Sequence, residues 1–172
     1  MSVLSWYRNR QLQKLNLQHH SDYKGWEGVE RIALYFEATQ IKETEIEAWI
    51  QFFETAGKNV EVLVYQSVKR KDLNPNWPYP SICKDDKSWW GWPSGLDFGT
   101  FKQHNFDLFF DFSKGEEPVH QIVAETAVAG MKVAFQKRKS DWADLVVRCE
   151  KEGYTQACRE EVLALLKFIN AQ

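Results

Sequence analysis

The chain has 172 residues, 22 Lys and Arg against 24 Asp and Glu, a formal net charge of −2, and a composition that is 44% apolar and 27% charged. That length suits one domain around one core, and the composition excludes a mostly disordered chain. The balanced charge gives no chain-wide attraction for nucleic acid, and no run approaches the roughly 18 apolar residues of a membrane span.

The first residues contain no apolar stretch of the kind a secretory leader needs, so a cytoplasmic location is expected. From Ser2 to His20 there is neither Gly nor Pro, which predicts a helix made basic by Arg8, Arg10 and Lys14. A turn-rich stretch around Asp22, Gly25 and Gly28 closes this leading unit at about residue 24. Residues 25–172 then read as a single α/β domain.

Arg31 to Phe36 is almost continuously apolar, as in a strand buried on both faces. Between Lys42 and Ala56, Ile46, Trp49, Ile50 and Phe53 recur at helical spacing, and Gly57 is a stop signal. Val60 to Tyr65 is a second strand, completing a βαβ unit. Residues 67–104 form an aromatic, Pro-rich insertion, in which Tyr79–Cys83 could be a short edge strand and Leu96–Gln103 a short helix burying Phe98 and Phe101.

Asp107 to Phe112 is the next strand. Ser113 followed by Glu116 resembles a capping box, with Pro118 in the first turn of a helix that runs to about Ala129 and stops at Gly130. Met131–Phe135 and Ala143–Arg148 are strands. Tyr154–Asn170 is the closing helix, its stripe formed by Cys158, Val162, Leu165, Leu166 and Ile169. The alternation of strands and helices predicts a three-layer, Rossmann-like α/β domain with a mostly parallel sheet and an additional N-terminal helix.

Three widely spaced cysteines, Cys83, Cys149 and Cys158, read as reduced thiols, with Cys158 a small apolar residue of its helix. The four histidines make no metal-binding spacing, so neither metal nor cofactor is expected. The strand ends carry no glycine-rich phosphate loop, and the turn after the first strand, Glu37-Ala38-Thr39-Gln40, has no glycine at all. A dinucleotide site is therefore not expected.

Ligands of open α/β sheets favour the crevice at the strand carboxyl ends. There the candidate residues are Asp111, Ser113, Lys114 and His120, joined by Glu37 if the first strand lies alongside. Ser113 as a helix cap and His120 in a solvated first turn would account for both without chemistry. The Lys137-Arg138-Lys139 run could grip a phosphate or simply be solvated.

Four of the eight tryptophans, Trp77, Trp89, Trp90 and Trp92, lie within the insertion. They either anchor a partner or tie the long segment onto the domain. Together with Arg8, Arg10 and Lys14 they form a candidate interaction surface for a protein partner, with RNA less well supported by only three basic residues.

Phe106-Asp107-Leu108-Phe109-Phe110-Asp111, the helix with Ala124 to Ala129, Met131-Lys132-Val133-Ala134-Phe135, and the upstream Ser88-Trp89-Trp90-Gly91-Trp92-Pro93 together resemble a small uncharacterised α/β domain family of Bacteroidota. That resemblance implies a cytoplasmic α/β protein and brings no established activity. The strand, helix and Lys-Val-Ala-Phe succession is more distantly similar to the N-terminal half of heptosyltransferase-like glycosyltransferases. Here Ala134 stands where that pattern prefers Gly, and at 172 residues a complete two-half transferase is not expected. The leading expectation is a non-catalytic binding or interaction module. The alternative is a small enzyme or ligand-binding protein using the crevice around Glu37, Asp111, Ser113 and His120, including a degenerate glycosyltransferase-like half.

Overall fold

The computed structural model describes residues 10–12, 14, 20–89, 91–114, 117–136, 142–148 and 154–169. Six strands, β1 (Arg31–Glu37), β2 (Asn59–Gln66), β3 (Ser81–Cys83), β4 (Asn105–Asp111), β5 (Val128–Ala134) and β6 (Leu145–Val146), form one sheet in the order β3-β2-β1-β4-β5-β6. Every neighbouring pair in it is parallel. The helices are α1 (Glu43–Thr55), α2 (Leu96–Phe101), α3 (Pro118–Thr126) and α4 (Gln156–Phe168). The expected α/β architecture is the observed one.

Strand alternation divides the core in two. Ile32, Leu34, Phe36, Val64, Leu108 and Phe110 face α1 and α4, whereas Ala33, Tyr35, Leu63, Tyr65 and Phe109 face α2 and α3. Both faces are covered, which is why β1 carries the unbroken apolar run Ile32–Phe36 and β4 the shorter run Leu108–Phe110. Helix α1 ends in a Schellman turn. Gly57, at φ +77°, donates to Glu54 O, and the Lys58 amide donates to Phe53 O. At the other end of the chain, Arg10, Gln11, Leu12 and Lys14 are helical, and Leu12 is buried on the α2/α3 face.

Three local expectations are corrected. Helix α3 stops at Thr126 rather than near Ala129: the Ala127 amide makes the last helical bond, to Val123 O, and the backbone at Ala127 then turns extended into β5. Gly130 therefore lies inside β5, not at a helix end. Its hydrogen faces main chain: a Cβ there would sit 2.9 Å from Asp22 O and 3.1 Å from Asp107 O. Gly130→Ala is expected to lower stability by about 1–3 kcal/mol through backbone displacement, read from urea unfolding midpoints. An unchanged midpoint would mean that the Asp22 segment yields freely.

Cys158 is buried as expected, but it is disulfide-bonded rather than reduced, whereas Cys83 is a free, buried thiol. Disulfide formation follows three-dimensional approach, which linear spacing does not report.

Candidate functional site

The strand order reverses between β1 and β4, and this switch point is where open α/β sheets leave a crevice beyond the strand carboxyl ends. Pairing of Tyr35 with Asp111 brings the ends of the two strands side by side. Glu37 closes β1 and Asp111 closes β4, and both lie on the face covered by α3 by the alternation that points Tyr35 and Phe109 there. The structure thus brings together four of the five crevice residues expected from the sequence.

His120 stands in the first turn of α3 and is only 1% exposed, which overturns the expectation of a solvated ring. Its Nδ1 is 2.9 Å from the Tyr35 hydroxyl, and its Nε2 is 3.7 Å from Glu37 Oε2. The Tyr65 ring meets the imidazole edge-on, with centroids 5.1 Å apart. Glu37 also accepts from the Thr39 hydroxyl at 3.1 Å and from the Lys114 amide at 3.2 Å.

Asp111, 1% exposed, accepts from both the amide and the hydroxyl of Ser113. Ser113 is not a helix cap, because the helix begins only at Pro118. The N-cap of α3 is Glu117, and the Asp111 carboxylate captures Ser113 in an Asx-type turn four residues earlier. Lys114 contributes its backbone alone, since its ammonium lies over the Tyr154 ring at 5.4 Å.

Tyr35 and Tyr65 belong to the cluster and were not picked out from the sequence. Their signal was present: each sits two residues from another residue of the same sheet face. Tyr65 donates to Glu117 Oε2 at 2.5 Å, and its phenol is held far above the ordinary range by burial and then by that carboxylate. Tyr65 is also the shared wall between His120 and a pocket of about 160 Å³. This pocket lies between the segment after β3, including Lys84, Lys87 and Pro93, and the start of α3 at Glu117 to Val119. Burial pushes the Cys83 thiol on its wall upward, which keeps that sulfur protonated and unreactive near neutrality.

Among the described residues no group of three or more His, Cys, Asp or Glu side chains is placed to hold a metal ion. The turn after β1 is also unsuited to a pyrophosphate. Its Ala38 amide donates to Tyr65 O, its Gln40 amide to Glu37 O, and the Glu37 carboxylate stands where a phosphate would need positive potential.

The expected interaction surface is dispersed. Trp77 packs on the α1/α4 side of the sheet and Trp92 on the α2/α3 side. Trp89 is 80% exposed, on a turn closed by Gly91 N to Ser88 O at 2.9 Å and Ser88 N to Trp92 O at 2.8 Å. Arg10 and Lys14 are exposed. Arg8, Trp90 and the 137–139 basic run lie outside the described residues. No described helix is long and apolar enough to cross a membrane.

Sheet order and buried polar cluster define a Rossmann-like α/β protein whose switch point carries acid, imidazole and phenol groups in place of a glycine-rich loop. By sequence the chain belongs to a family of unknown function, DUF6913, whose profile matches residues 2–169. No curated protein and no solved structure matches the chain significantly.

Proposed function

We propose that this protein binds a small polar ligand at the carboxyl edge of its sheet, over Glu37, Asp111, Ser113 and His120 and the pocket beside them. One observation carries the reading. Four polar side chains from β1, β4, the following turn and α3 are buried together at the strand switch point, with two tyrosines from β1 and β2 enclosing them. Burying such groups costs free energy that apolar residues at the same positions would not incur, so the arrangement is better accounted for by recognition than by folding.

A second reading keeps the interaction module expected from the sequence, now centred on Trp89. An indole 80% exposed on a hydrogen-bonded turn is a preformed anchor for a protein surface.

One experiment addresses both. The tagged chain is purified natively at low salt from its own cells, and the released small molecules and co-purifying proteins are identified by mass spectrometry. The expected result is a stoichiometric small molecule, retained by Trp89→Ala and lost from Asp111→Asn and His120→Phe variants that keep the wild-type circular dichroism. A protein companion lost with Trp89→Ala, with no small molecule present, would replace the first reading by the second.

A further inference from the structure

We infer that the pocket beside Tyr65 takes a small zwitterion of amino-acid type, carrying a carboxylate and an ammonium on one short frame. This rests on the ligand-site reading above and specifies its chemistry. The cavity, about 160 Å³, is well below the roughly 300–1,000 Å³ of sites for drug-sized molecules. Its lining carries both signs of charge, contributed by different segments. After β3 come Lys84 and Lys87, and among the described residues neither ammonium takes part in an ion pair. Asp86, on the same segment, is neutralised by Arg70 and accepts the Cys83 amide at 2.8 Å.

Across the pocket stands Glu117, exposed, with one oxygen fixed by the Tyr65 hydroxyl and the other left for a ligand. Ile82, Pro93 and Val119 supply apolar surface between the charges. A ligand with a single negative charge would meet the lysines but face Glu117, and one with a single positive charge would face the lysines. A zwitterion satisfies both ends, and charge-assisted hydrogen bonds at each fix its orientation.

The test is calorimetric titration of the full chain with the standard L-amino acids, singly. Each ligand that binds is then compared with its decarboxylated amine and its deaminated acid. One amino acid is expected to bind, both singly charged analogues to bind at least about tenfold more weakly, and Lys87→Gln and Glu117→Gln each to weaken binding by about tenfold or more. Both substituted residues are exposed, so the fold is expected to survive them. Equal binding of acid and zwitterion, or unaltered binding by both variants, would overturn the inference. If every amino acid fails while the natively purified protein carries a different small molecule, the zwitterion is excluded and the ligand site stands. If the native protein also carries none, both fall.

Discussion

Trp49→Ala is expected to cost about 3–5 kcal/mol of folding stability, a large share of the roughly 5–15 kcal/mol that holds a typical domain together. Trp49 projects from α1 with no exposed surface and contacts Phe53, Phe110, Phe112 and Phe135, at centroid separations of 5.7, 6.3, 4.8 and 5.7 Å. Phe112 and Phe135 in turn stack at 4.4 Å, and Tyr154 closes on both edge-on. Removing the indole opens a cavity among rigid rings anchored on β4, α1 and the segment after β5, which cannot all move inward together. The indole Nε1 is buried without a hydrogen-bond partner among the described residues, so Trp49→Phe forfeits volume but no hydrogen bond. It should recover most of the loss. Urea unfolding with an unchanged slope would show the two variants well separated. Equal midpoints for Ala and Phe would show that the ring cluster contributes little.

How much of this could be seen in the sequence depends on the physics behind each feature. The strands were legible because burial on both faces forces unbroken apolar runs such as Ile32–Phe36. Glu37 and Asp111 were legible because each is a carboxylate closing such a run. The burial of His120 was not, since it depends on Tyr35 and Tyr65 arriving from two neighbouring strands, and a helix pattern does not report that. Ser113 matched a capping box locally, but the helix starts only at Pro118 behind Glu117, and the Ser113 amide and hydroxyl instead donate to the nearer Asp111 carboxylate. The tryptophans looked like one surface because they are close in sequence. The chain passes through edge strand β3 between Trp77 and Trp92, and they emerge on opposite faces of the sheet.

Raising the pH from about 8 towards 10 is expected to stabilise the fold, with a decline above that range. The rise belongs to Lys132, which is 2% exposed on β5, with its Nζ 2.8 Å from Ala124 O at the end of α3. Burial outweighs the carboxylates of Asp144 and Glu125 and lowers its pKa from the ordinary 10.5 to about 8. Between those values the unfolded chain holds the proton that the folded chain has released. Stability therefore increases with pH across that window, by at most about 3 kcal/mol. The decline has the opposite origin. Burial pushes the Tyr23 phenol up to about 12 and also raises Tyr65 and Tyr79, and their contributions, whole below the ordinary phenol value of 10, disappear as pH climbs through the folded values. Cys83, raised by burial above its ordinary 9, opposes the rise in the same sense. Chemical denaturation at a series of pH values should trace the maximum, and Lys132→Met should abolish the rising limb while leaving the alkaline fall in place. A rising limb that survives Lys132→Met would assign the proton to another group and leave the buried ammonium with no part in the pH dependence.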